Sequence, residues 1–419
     1  MADERTFVIV GASLAGAKAA ETLRAEGFTG RVVLIGEEGE RPYERPPLSK
    51  GYLQGKEEAR EKAFVHAPDF YTGHDIDLRL ATRVTHLDPA AHTVTIDGVE
   101  VLHYDKLLLT TGSRVRTLHI PGTDLTGVRY LRTVDEADAL LPHLRTAANV
   151  VVIGAGWIGL ETAAAARQHG ADVTVVELGT LPLQRVLGDE LATVFADLHR
   201  ANGVRFHFGA SAREFRGTGG KLSTVVLDDG TELPADVAVI GVGIQPNTEL
   251  AVDGGLDVDN GILVDAGLHT SDPSIYAAGD VVNLAHPLLG RRIRVEHWAN
   301  ALNGGKSAGL ALLDRDVTYD RVPYFFSDQY DLGMEYSGYA EPGAYDRVVF
   351  RGDPAVKDGK TPEFIAFWVQ DGRVLAGMNV NVWDVTDDIQ ALVRAGWSGT
   401  KVDLTRLADP TVPLAELLG

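Results

Sequence analysis

The sequence predicts an α/β chain in which one parallel-sheet domain is inserted into another and a smaller α+β domain follows. Three observations carry that expectation. One pattern occurs twice in the 419 residues: an apolar strand, a Gly-rich turn, an Ala-rich helix, a second strand and a terminal acid. Both copies use unbroken β-branched runs, which suit parallel strands buried on both faces. Beyond residue 322 the pattern gives way to aromatic strands and one polar helix.

In the first copy the strand is residues 7–10, the turn 11–16 (GASLAG), the helix 17–26 and the second strand 31–37, ending on Glu37. In the second they are 150–153, 154–159 (GAGWIG), 160–169 and 172–177, ending on Glu177. Gly27 and Gly170 stand where each helix should stop. Further strands are expected at 94–96, 106–111, 223–227 and 237–242, then 324–326 and 364–369, with the polar helix at 387–395. The outer domain is read as residues 1–117 and 246–322, the inserted domain as 118–245 and the last as 323–419.

A Gly-x-Gly-x-x-Gly turn between strand and helix is a Rossmann-like dinucleotide site. Its first glycine permits the tight turn, its second lets backbone approach a pyrophosphate, and its third lets helix pack on strand. The helix N-terminus adds free N–H groups and a positive dipole end. Gly154, Gly156 and Gly159 fill all three roles; in the first copy Gly11 and Gly16 flank Ser13, which stands in the second glycine's place. Glu37 and Glu177 are the expected ribose acceptors, because a carboxylate takes two hydrogen bonds from a diol. Glu177 would also repel a 2′-phosphate, and residues 178–180 supply no Arg to pair one, so NADH is expected over NADPH. Arg185, farther on, is a candidate adenine or ribose contact.

Composition narrows the chemistry. The 45% hydrophobic and 23% charged content is that of a globular protein, and no apolar run reaches the roughly 18 residues of a membrane span. Apolar sequence starts at Phe7, leaving no room for a cleavable signal, so a cytoplasmic protein is expected. A net charge of −20 argues against nucleic acid or an anionic membrane as partner. There is no cysteine, which removes disulfide cycling, thiolate zinc sites and Cys-ligated clusters within the chain. The thirteen histidines show no metal-binding spacing, and no metal site is expected.

Eight stretches in the right order carry a family resemblance: RPPLSK at 45–50, LTTGS at 109–113, LRT at 131–133, GAGWIGLE at 154–161, GVGIQPN at 241–247, TSDPSIYAAGD at 270–280, EHWAN at 296–300 and FSDQY at 326–330. In these the chain resembles the FAD-dependent NADH:ferredoxin reductases of bacterial oxygenase systems, the putidaredoxin reductase and biphenyl dioxygenase ferredoxin reductase type. The resemblance implies a glutathione-reductase-like arrangement, FAD on the outer domain and NAD on the inserted one. It implies FAD contacts at Gly11, Ser13, Ala15, Gly16, Glu37, Arg45, Lys50, Val84, Thr111, Gly112, Arg132, Asp280 and Trp298. It implies NAD contacts at Gly154, Gly156, Trp157, Ile158, Gly159, Glu161, Glu177, Arg185 and Gly243. Lys50, Glu161 and Trp298 are the implied catalytic group. Lys50 pairs with Glu161 near the flavin's reactive nitrogen, and Trp298 opens a helix aimed at the flavin's pyrimidine end.

With no cysteine to receive electrons, they must leave the flavin directly. The resemblance implies a [2Fe–2S] ferredoxin as recipient. Such ferredoxins are acidic, so a basic docking cluster is expected at Arg291, Arg292 and Arg294, with Lys306 on the following helix. Other readings are a reductase of rubredoxin, quinone or monodehydroascorbate, or an NADH-responsive redox sensor.

Overall fold

The computed structural model describes residues 3–56, 58–357 and 360–418. The chain divides into two compact units: Met1–Glu44, Glu61–Arg114 and Gln245–Pro323 form the first, and Arg45–Arg60, Val115–Ile244 and Tyr324–Gly419 the second.

The first unit is built on a parallel sheet in the order Ile275–Ala277, Lys106–Leu109, Thr6–Val10, Arg31–Ile35, Ile76–Arg79. Phe7, Val8 and Ile9 of its central strand are fully buried, as are Val32, Val33 and Leu34 beside them. That is the consequence of covering both faces of a parallel sheet. An antiparallel meander (Val84–Asp88, Thr93–Ile96, Glu100–His103) sits between its edge strand and Lys106–Leu109 in the sequence.

The second unit repeats this plan. Its parallel sheet runs Val128–Arg129, Val237–Ile240, Asn149–Ile153, Asp172–Glu177, Arg205–Phe208. A meander (Ala212–Thr218, Lys221–Leu227, Glu232–Pro234) again precedes the strand that returns beside the central one. The two differ in their fifth strand, which comes last in the first unit and first in the second. The second unit also holds an antiparallel sheet of Tyr324–Gln329, Leu332–Gly338, Arg373–Val380, Phe364–Gln370 and Arg347–Gly352. The helix Thr386–Trp397 packs on it so closely that a Cβ at Gly396 would lie 2.0 Å from the Val374 carbonyl oxygen.

Both Gly-rich helices start earlier than their Ala-rich stretches suggest, at Leu14–Ala25 and Trp157–Gln168. The third glycine of each turn belongs to the first helical turn, where no apolar periodicity marks it. Both end two residues before Gly27 and Gly170, whose φ of 82° and 90° is the left-handed conformation that closes a helix. No helix among the described residues is long and apolar enough to cross a membrane.

Candidate functional site

In the first unit Gly11 has φ 121°, and a Cβ there would lie 2.1 Å from the Thr110 carbonyl oxygen; one at Gly16 would lie 2.1 Å from the Gly11 oxygen. The second turn has the same construction. Gly154 has φ 99° with the Gly241 oxygen 2.4 Å from a Cβ, and Gly159 would bring one 2.1 Å from the Gly154 oxygen. The first and third glycines are therefore demanded by the protein's own backbone. The middle position is not. Ser13 and Gly156 both hold extended backbone ahead of their helices, and a Cβ on Gly156 meets nothing within 4 Å. Open space in front of helical N–H groups that lack intrahelical partners fits a pyrophosphate.

The two strand-end acids are held differently. Glu177 Oε2 accepts from the Ala155 N–H at 2.8 Å and Oε1 from the Gly179 N–H at 2.8 Å, so one carboxylate ties strand, turn and following loop together. The Glu37 side chain is 71% exposed and lies 3.6 Å from Arg83, which precedes Val84 at the start of the meander. Trp157 and half-exposed Ile158 open the second helix. Arg185 is exposed on the short helix Gln184–Leu187, and Gly243 accepts through its carbonyl from the Arg116 N–H.

Around the first turn, Thr111 donates its hydroxyl to the Asn247 carbonyl at 2.7 Å, while the Asn247 side chain donates to Thr111 O and its N–H to Gly112 O. Gly279 and Gly305 abut Ala15, placing Asp280 next to the turn. Asp280 lies inside a short 3₁₀ turn, Gly279–Val281. Trp298 is the first residue of the helix Trp298–Leu312, and Asn300 donates to the Gly279 and Val295 carbonyls, fixing that helix against the Asp280 segment. Burial pushes His297, which precedes Trp298, down to about 4, with Asp280 opposing the shift.

In the second unit Lys50 Nζ lies 2.9 Å from Glu161 Oε1. The lysine side chain is 12% exposed and that of the glutamate 2%. Ser327 donates to Glu161 Oε1 at 2.6 Å, Ser49 donates to Oε2, and Lys50 faces the Phe326 ring. Arg45 donates to the Arg132 carbonyl at 2.7 Å, and the Arg132 N–H is held by Glu136 of the Thr133–Glu136 capping box. The structure thus brings together Gly11, Ser13, Ala15, Gly16, Thr111, Gly112, Asp280 and Trp298 in one unit and Arg45, Lys50, Arg132 and Glu161 in the other. Sequence reasoning passed over Ser49, Ser327, Asn247 and Asn300, although each stands inside a motif stretch.

Of the basic cluster, Arg292 donates to the Val264 and Asn283 carbonyls, and Arg294 pairs with Glu296 at a side-chain exposure of 16%. Arg291 and Lys306 are exposed. No cluster of three or more His, Cys, Asp or Glu among the described residues is placed to hold a metal.

Two dinucleotide turns on two parallel sheets define an oxidoreductase that uses two nucleotide cofactors together. The chain belongs to the pyridine nucleotide-disulphide oxidoreductase family, whose model matches residues 5–305, and a reductase C-terminal model matches 324–418. It is 42% identical to the anthranilate 1,2-dioxygenase system ferredoxin–NAD(+) reductase component of Burkholderia cepacia, over 98% of this chain and 99% of that one. It is 36% identical to putidaredoxin reductase of Pseudomonas putida, over 98% and 96%. The solved covalent putidaredoxin reductase–putidaredoxin complex superposes with a TM-score of 0.91 at 35% identity, covering 99% of this chain and 98% of that one. The disulphide of the family name has no counterpart here, because this chain has no cysteine.

Proposed function

We propose that this chain is an NADH-dependent ferredoxin reductase that takes electrons from NADH into FAD and passes them to a [2Fe–2S] ferredoxin serving an oxygenase. The observation that carries the reading is the buried Lys50–Glu161 pair, with Glu161 one turn into the helix that opens on a dinucleotide turn, in a chain without cysteine. Bound together, the cofactors supply hydride transfer and the release of electrons one at a time. The residues do the rest. Gly154, Gly156, Trp157, Ile158, Gly159, Glu161, Glu177, Arg185 and Gly243 hold the nicotinamide nucleotide. Gly11, Ser13, Ala15, Gly16, Glu37, Val84, Thr111, Gly112 and Asp280 hold FAD, joined by Arg45, Lys50 and Arg132. Lys50, paired with Glu161, stabilises negative charge, and Trp298 presents a helix N-terminus for the same purpose. Division into an FAD domain (1–117 and 246–322), an NAD domain (118–245) and a C-terminal domain (323–419) is the functional partition, and the cytoplasm is the compartment.

The ferredoxin docks on a basic face. Arg291 and Lys306, both exposed, are the residues to reverse. An anaerobic NADH titration of the purified protein, followed by cytochrome c reduction with and without ferredoxin, tests the reading. A flavin spectrum bleached by NADH and ferredoxin-dependent turnover are expected, and absence of either overturns it. Arg291→Glu with Lys306→Glu is expected to raise the ferredoxin KM and leave NADH-to-ferricyanide turnover unchanged; equal loss of both sinks the docking face.

A further inference from the structure

The hydrogen bond from Ser327 to Glu161 is the near end of a longer chain. Gln329 Nε2 lies 3.1 Å from Ser327 Oγ, His199 Nε2 lies 2.8 Å from Gln329 Oε1, and Tyr330 OH lies 3.2 Å from His199 Nδ1. Ser327, Gln329 and His199 are each 0% exposed. The strand geometry explains how one segment serves two helices. Phe325, Ser327 and Gln329 alternate onto the buried face of Tyr324–Gln329. Phe325 meets Trp157, Ser327 meets Glu161, and Gln329 meets His199 on the helix Asp189–Ala201.

The anion at one end fixes every hydrogen along the chain. A carboxylate oxygen 2.6 Å away accepts the hydrogen bond that the Ser327 hydroxyl donates, so Ser327 Oγ is left to accept from its other neighbour. Gln329 must then present its NH₂ to Ser327 and its carbonyl to His199. His199 must carry its proton on Nε2, which leaves Nδ1 to accept from Tyr330. Burial supports that neutral form by pushing His199 down to about 4. Four donors point the same way, and hydrogen bonds in such a series polarise one another. The chain does not conduct protons, because the Gln329 amide would have to pass through its imidic tautomer.

We infer that His199, acting through Gln329 and Ser327, is a positioning residue that holds the Glu161 carboxylate in place against Lys50. The inference rests on the functional reading above, in which that pair serves electron entry from NADH. Flavin bleaching by NADH in anaerobic stopped flow, on the flavin-loaded protein, separates the two ideas. If the unaltered protein is not bleached, or if Glu161→Gln reduces at the unaltered rate, the reading fails and the inference with it. Given bleaching, His199→Phe, which keeps a ring but removes the donor, is expected to lower the limiting rate roughly fivefold, about the worth of one hydrogen bond. Its NADH Kd should stay within about twofold of the original, since no nucleotide contact is removed. His199→Gln, whose amide can still donate to Gln329, should recover most of the rate. A His199→Phe rate equal to the original overturns the inference, as does an equal loss in His199→Gln, which would mark a packing role only. Gln329→Glu covers the case in which His199→Phe does not hold flavin. It preserves shape while turning the donor toward Ser327 into an acceptor. The same slowing is expected, and an unaltered rate is equally fatal.

Discussion

The two Gly-rich turns are one construction used twice, with Thr110 and Gly241 supplying the same obstructing carbonyl to Gly11 and Gly154. They part company at their acids. Glu177 spends both carboxylate oxygens on backbone N–H groups of its own unit, whereas Glu37 projects into solvent beside Arg83. The shared part is what the fold requires, and the divergent part is where the proposed function puts each turn's ribose contact.

The largest effects should come from the shared part. Gly11→Ala and Gly154→Ala each force a Cβ against a carbonyl oxygen at a positive φ, costing about 3 kcal/mol or more. Because the turns lie in different units, the losses should be separable. Gly11→Ala should purify colourless, and Gly154→Ala should keep its flavin while bleaching slowly with NADH. Flavin absorbance and an NADH titration decide this; a colourless Gly154→Ala protein would show that the turns do not act independently.

Much of this was legible in the sequence. Strand cores such as residues 7–10 and 150–153 announce themselves because parallel strands need apolar residues on both faces. Gly11, Gly16, Gly154 and Gly159 are legible because no other residue fits them. Glu37 and Glu177, by contrast, look the same in sequence. What separates them is whether nearby backbone N–H groups turn toward the carboxylate, as those of Ala155 and Gly179 do toward Glu177. The partners of Glu161 were half legible. Lys50 came with its motif, but Ser327 is 166 positions from Glu161 in the chain, and His199 joins only through the register of a buried strand. The basic run at 291–294 reads as a surface patch by composition, and Arg291 and Arg292 are exposed; what composition does not tell is that Arg292 also donates to local carbonyls and that Arg294 pairs with Glu296.

The divergent part predicts a middle-sized contrast. Glu177→Ala strips the acceptor from two N–H groups, so stability should fall by about 1–3 kcal/mol, the cost of leaving such groups unpaired. NADH affinity should fall roughly tenfold or more, and the preference over NADPH should narrow as the charge opposing a 2′-phosphate disappears. Glu37→Ala removes an exposed pair, worth about 0–1 kcal/mol, together with one of many proposed FAD contacts, so stability should hardly change and flavin affinity should fall less than NADH affinity does in Glu177→Ala. Melting temperatures and paired NADH and NADPH titrations make the comparison. If Glu37→Ala loses flavin as readily as Glu177→Ala loses NADH, exposure is no guide to the work either acid does.

The smallest effect tests the one place where the turns differ in residue type yet not in backbone. Ser13 and Gly156 hold the same extended conformation, and a side chain on Gly156 has open space before it. Gly156→Ser should therefore leave stability unchanged or raise it by up to about 1 kcal/mol, through the narrower unfolded ensemble. Its NADH affinity should drop by less than about tenfold, because a hydroxymethyl group displaces little and can donate to a phosphate. Ser13→Gly should be equally mild toward flavin. A collapse of NADH binding in Gly156→Ser, with the fold intact, would mean that the second nucleotide lies closer to its turn than any side chain permits. The first turn, which carries serine there, would then have to hold its own ligand farther off.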